Sequence, residues 1–199
     1  MKKISLFALM VVLAYSSAAQ EFQYGIKGGI NLAKLKVSVT GISATTDELF
    51  SFHAGFYGLI MTSDKFGIQP ELLYSGQGAA GSGGSGNFSL GYLSIPVMLR
   101  YEFTPGVTIQ AGPQVGFLLS ATVDGQDAKS GMNSTDFSLG FGLGVDRPSG
   151  VNFGFRYVIG LSNTLSDATT GALGGFGFPG VSMTNQVIQF SVGYRLSKS

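Results

Sequence analysis

His53 is the only histidine in the chain, and Ser51 stands two positions before it. A serine and a histidine together suggest nucleophilic attack on an ester with the imidazole as base. Residues two apart in a strand share a face but lie roughly 7 Å from one another, too far for a direct nucleophile and base contact. A serine from another strand is needed for that chemistry, and packing in an interior is the simpler expectation for His53. One histidine and no cysteine leave neither a multi-histidine site nor a thiolate site for a metal. Gly76-Gln77-Gly78-Ala79-Ala80-Gly81 matches the glycine spacing of a dinucleotide loop, but no helix pattern follows it, and the motif needs one. Asn87-Phe88-Ser89 and Asn133-Ser134-Thr135 match glycosylation sequons only in form, since that reading presumes a eukaryotic secretory route. No catalytic, cofactor-binding or metal residue is assigned.

Charged residues carry more information. Lys27, Glu71, Arg100, Asp136 and Arg156 recur on the polar face of segments that otherwise alternate. Counting from the segment ends near the short turns puts Lys27, Glu71 and Arg156 at about one height, Arg100 slightly lower and Asp136 higher. Several cations then surround a single carboxylate, and Glu71 is expected to be the hub of an internal charge network.

Period-two alternation is the signature of a strand with two different faces. It recurs eight times, beginning at Phe22, Phe50, Phe66, Tyr92, Val107, Asp136, Val151 and Ile188. In the first segment Phe22, Tyr24, Ile26, Ile30 and Leu32 oppose Gln23, Lys27 and Asn31. Across all eight, the apolar face holds no charge, while the other collects Lys27, His53, Glu71, Arg100, Asp136, Arg156 and Arg195. A soluble barrel alternates too, with its apolar side inward. Here the apolar face is crowded with Phe, Tyr and Leu, whereas an eight-stranded barrel is only wide enough inside for its own side chains. The glycine-, serine- and glutamine-rich face suits that narrow lumen, so the bulky face belongs in lipid. The expected fold is all-β: an eight-stranded antiparallel up-and-down transmembrane β-barrel.

The connections alternate in length, as outer-membrane barrels require. Long ones are expected near 33–48, 78–87, 121–133 and 162–184, and short ones near 63–65, 104–106 and 146–150. An even strand count places both mature termini in the periplasm. Pro70, Pro96 and Pro113 fall inside paired segments, where proline cannot donate to the ladder; bulges are expected there, the alternative being a misassigned strand near Pro96. In the last long connection, Leu173, Phe176 and Phe178 stand between glycines as candidate contact residues, or as part of a loop folded over the barrel mouth or lying on the outer-leaflet surface.

Composition agrees with a chain that faces something other than water. Charged residues make up 12% of the 199 residues, against about a quarter in ordinary domains. The formal charge of +1 becomes about −1 without Lys2 and Lys3, and neither value points to nucleic acid. Met1-Lys2-Lys3, the apolar run Ile4 to Tyr15, and Ser17-Ala18-Ala19 form a secretory leader pattern. The expected division is a signal peptide over 1–19 and a barrel over 20–199.

GIKGGIN at 25–31, FHAGFYGLI at 52–60, SDKFGIQPELLYSGQGA at 63–79, YLSIPVMLRYEF at 92–103 and AGPQVGFLLS at 111–120 resemble the PorT-like outer-membrane β-barrel family of Bacteroidetes. The resemblance extends over nearly all of the mature chain and implies a cell-envelope barrel. The chain departs from the common aromatic ending of such barrels, closing on Leu196-Ser197-Lys198-Ser199. The family's namesake serves protein secretion, a role not transferred here. The expected partners are outer-membrane lipid, the barrel assembly machinery during biogenesis, and an envelope protein reached through the long loops. No cofactor is expected. The function expected is nonenzymatic, in envelope structure, adhesion or assembly, with the lumen filled. The alternative is a small lipid-active enzyme or a lipid- or ligand-binding barrel.

Overall fold

Side chains alternate inward and outward over longer stretches than the lipid-facing pattern alone indicates. The computed structural model describes residues 22–40, 42–81, 86–176 and 180–197, so the expected leader lies outside the described residues. The strands are β1 (Phe22–Val39), β2 (Ile42–Thr45), β3 (Leu49–Met61), β4 (Phe66–Ala79), β5 (Phe88–Thr104), β6 (Val107–Val123), β7 (Gln126–Asp127), β8 (Thr135–Asp146), β9 (Val151–Gly160) and β10 (Ser182–Arg195). The eight wall strands β1, β3, β4, β5, β6, β8, β9 and β10 pair antiparallel in that order, and β10 returns to β1 to close the barrel. Closure satisfies the backbone without leaving an edge, which a wall in hydrocarbon must do. β2 folds back on the end of β1 and β7 on the end of β6.

The outer surface is apolar. Phe22, Phe56, Phe66, Leu99, Phe141, Leu143 and Phe190 all stand exposed, in a band far larger than a water-soluble monomer displays. The interior is polar, with Asn31, His53, Gln69, Glu71, Gln114, Asp136, Arg156 and Gln189 buried. Aromatic rings meet near the short-turn rim, Phe66 and Tyr101 with centroids 4.8 Å apart and Phe22 and Tyr24 at 6.1 Å, as an interfacial girdle requires.

Beyond Leu32 the polarity of the two faces reverses. Ala33 and Leu35 point inward and are buried, while Lys34 and Lys36 face out. Val187 and Val158 pack with Ala33, and Leu90, Tyr92, Leu118 and Ala121 form a second apolar cluster. The wall here packs like a soluble barrel, apolar inside. This reversal corrects the expected connections. Residues 33–39, 78–79, 121–123 and 182–184 are strand, β5 begins at Phe88, and a helix, α1 (Asp167–Gly175), occupies the last long connection. Ser166 caps α1, its Oγ accepting from Thr169 N at 3.3 Å.

The prolines also correct an expectation, because no bulge accompanies them. On either side of Pro70 the register with β3 is unchanged, Tyr57↔Glu71 and Ile60↔Ile68, and only the rungs between are missing. Pro96 interrupts pairing with β4 and Pro113 with β5 in the same way. Each proline loses its donor toward one neighbour and keeps its pairing on the other side, to Val97, Gln114 and Leu139 respectively. A lost rung needs no extra residue. The register shifts of β5 against β6 lie elsewhere, at Gly91/Tyr92 and Glu102/Thr104.

Candidate functional site

The polar interior is organised in layers, and the lowest is centred on Glu71. β4 turns this side chain into the lumen, where it is buried. Arg156 of β9 grips it from across the barrel, Nη1 donating to Oε2 and Nη2 to Oε1, both at 2.8 Å. Lys27 Nζ of β1 reaches Oε1 at 3.0 Å and Gln69 Nε2 reaches it at 2.6 Å. A carboxylate removed from water needs donors on both oxygens, and a guanidinium fork supplies two in one plane. Gly140 on β8 makes room for this arrangement, since a Cβ there would stand 3.3 Å from Arg156 Cδ and from Met98 Cε.

Arg100 joins through a neutral relay. Its Nη1 donates to Gln69 Oε1 at 2.8 Å, and its Nη2 pairs with the Asp146 carboxylate. Arg156 Nη2 also donates to Gln110 Oε1 at 3.1 Å. Lys27, Glu71, Arg100 and Arg156 are thus brought together, tying β1, β4, β5, β6, β8 and β9. Asp136 is not among them. It lies higher and accepts from Ser162 Oγ at 3.1 Å. Asp146, Gln69 and Gln110 went unsingled in the sequence. Asp146 ends β8 beside a turn, and the two glutamines are uncharged, so a search for charges passes over them.

One layer higher, Asn31 Oδ1 meets His53 Nδ1 at 2.7 Å and accepts from Gln189 Nε2 at 3.2 Å, while Asn31 Nδ2 donates to Gly76 O at 2.7 Å and Ser75 Oγ at 3.1 Å. Ser51 Oγ donates to Gly76 O at 2.7 Å. His53 and Ser51 therefore serve the interior packing of different neighbours. The glycine-spaced segment from Gly76 runs as the end of β4, not as a loop before a helix.

At the long-loop end, two connections interlock. Asn133 Nδ2 donates to Asn163 O and Leu165 O, both at 2.9 Å, and Thr169 Oγ1 to Gly131 O at 2.9 Å. Leu173 lies half-buried on α1, and Phe176 at its end is 82% exposed. Phe178 lies outside the described residues.

A model of the outer membrane protein beta-barrel domain matches residues 17–166, three quarters of the chain. The chain belongs to this outer-membrane β-barrel family. Among solved structures, Neisserial surface protein A is similar with a TM-score of 0.53 at 12% identity, over 86% of this chain and 96% of its own. Ail, the attachment invasion locus protein of Yersinia pestis, is similar with a TM-score of 0.52 at 14% identity, over 88% of this chain and 99% of its own. A further structure of Ail, in complex with the heparin analogue sucrose octasulfate, gives 0.50 at 15% identity over the same shares. At these identities the likeness is one of fold. No curated protein matches the sequence. The outer-membrane barrel's buried charges thus sit inside a wall surrounded by lipid.

Proposed function

We propose that this outer-membrane barrel is nonenzymatic, has a lumen filled by its own side chains, and presents its long loops outside the cell as an adhesion or assembly surface. The observation carrying the reading is the loop platform. Asn133, Asn163 and Thr169 fasten α1 to the neighbouring connection and leave Phe176 projecting into solvent. An exposed aromatic on an ordered support resembles the anchor of a binding site, because little entropy remains to be lost on contact. The Glu71 and Asn31 layers, with the apolar clusters above them, support the filled lumen. The engagement of His53 by Asn31 and of Ser51 by Gly76 favours this reading over a lipid-active enzyme.

The orientation that goes with it has the short turns and both mature termini in the periplasm, after removal of residues 1–19. The segments resembling PorT-like barrels of Bacteroidetes support the finer family placement. Assembly machinery during biogenesis and an envelope protein at the loops are the partners, and Leu173, Phe176 and Phe178 are the contact residues. A photocrosslinking side chain at position 176 in living cells tests the proposal. Adducts with one envelope protein or surface glycan are expected, whereas adducts with lipid alone would reassign this loop to the membrane surface.

A further inference from the structure

The short-turn end of the barrel opens into a vestibule of about 810 Å³, within the roughly 300–1,000 Å³ typical of small-ligand sites. Its floor carries the Arg100–Asp146 pair and a hydrogen bond from Asn152 Nδ2 to Tyr57 Oη at 2.9 Å.

The charges around it are unevenly committed. Of the acids, Asp146 is taken by Arg100, and Glu102 Oε1 accepts from Gly106 N at 2.9 Å. Of the remaining cations, Arg195 donates to the neutral Gln23 Oε1 at 3.1 Å, and among the described residues none of Arg195, Arg147 and Lys65 forms an ion pair. Three cations therefore face two acids that form no ion pair among the described residues, Asp64 and Glu102, which leaves one positive charge in excess. Two of the three are guanidiniums, whose planar donors match an oxyanion. Thr108 gives a second indication. It lines the vestibule, is buried, and its hydroxyl has no hydrogen-bond partner, a state that is costly unless a ligand group meets it. Leu59, Met61 and Val151 give the same cavity an apolar side.

We propose that the vestibule is a binding site for a carboxylate carried on a small apolar body, with Arg147 and Arg195 holding the oxyanion and Leu59 and Met61 receiving the apolar part. The carboxyl terminus of a periplasmic polypeptide and a free organic acid share this chemistry.

Calorimetric titration of the folded full mature chain in detergent tests it with three probes: benzoate, an N-acetylated tripeptide ending in leucine, and the same tripeptide as its C-terminal amide. Binding of the acid tripeptide at least tenfold tighter than the amide is expected if the source is a polypeptide end. Binding of benzoate without the tripeptide supports a free acid instead. Arg147→Gln with Arg195→Gln should weaken the bound acid at least tenfold, and Asp64→Asn should tighten it a few-fold. Arg147 lies on an exposed turn, so Arg147→Glu alone gives the same answer if the double variant does not fold. Equal binding of acid and amide, binding untouched by the arginine substitutions, or no binding of either acid would overturn the proposal.

Discussion

Arg156 and Glu71 stand 85 residues apart in sequence and are joined by two parallel hydrogen bonds of 2.8 Å across the lumen. The pair links β9 to β4, strands that are not neighbours in the wall. It therefore acts as a crossbrace, which ladder hydrogen bonds cannot do.

Glu71→Gln keeps the shape of the brace and removes its charge, leaving Arg156 and Lys27 confined without a counterion. A loss of about 3 kcal/mol is expected, the lower end of the range for breaking a buried pair. Lys27→Met should cost less, because the Arg156 fork still satisfies both carboxylate oxygens and a repulsion between cations is relieved. Urea unfolding of the two variants measures the difference, and coincident midpoints for wild type and Glu71→Gln would remove the crossbrace.

Leu143 points out from the middle of β8 and is 54% exposed. Leu143→Arg should cost about 2–4 kcal/mol by placing a charge in hydrocarbon. Refolding yield into lipid vesicles reads this directly. An unchanged yield would mean that this face does not meet lipid.

Lys129 lies on the long-loop side, whereas Lys65 and Arg147 lie on short turns. Trypsin added to intact cells should cut after Lys129 and spare Lys65, and it should reach both once the envelope is opened, whereas Arg147 precedes Pro148 and is no trypsin site. Cutting after Lys65 in sealed cells would invert the proposed orientation.

Gly29 faces inward on β1, where a Cβ would collide with the Phe190 carbonyl of β10. Gly29→Ala should push the closing strands apart. The expected readout is loss of the heat-dependent shift in gel mobility that a closed barrel shows before boiling. A retained shift would mean that the β1–β10 contact yields without opening.

The wall was legible because lipid writes a strong signal. From Phe137 to Val145 a bulky residue alternates with a small or polar one without interruption. The ends of the wall were not, because above Leu32 the signal changes sign. Leu35 is apolar and inward, Lys34 polar and outward, and a reader following the lipid-facing stripe stops there. α1 was hidden by its glycines, Gly171, Gly174 and Gly175, which disfavour helix; the Ser166 cap and the contacts to Gly131 outweigh them. In the interior, heights counted along strands grouped Lys27, Glu71 and Arg156, which the structure holds in contact. Counting did not reveal that Gln69 relays Arg100, because a neutral side chain two residues away on the same strand carries no charge to count.

The seam from Gly25↔Arg195 to Ser38↔Ser182 joins the two ends of the chain, and this fixes an order in time. Every other wall contact forms between strands that are near in sequence, but this one waits until residue 195 is available. Contacts between distant segments close slowly. Until they do, β1 and β10 each offer an unpaired edge to any other extended chain. The interval between the arrival of the first strand and the last is thus when this protein is most exposed to wrong pairing, and whatever shields it in that interval must hold both edges at once.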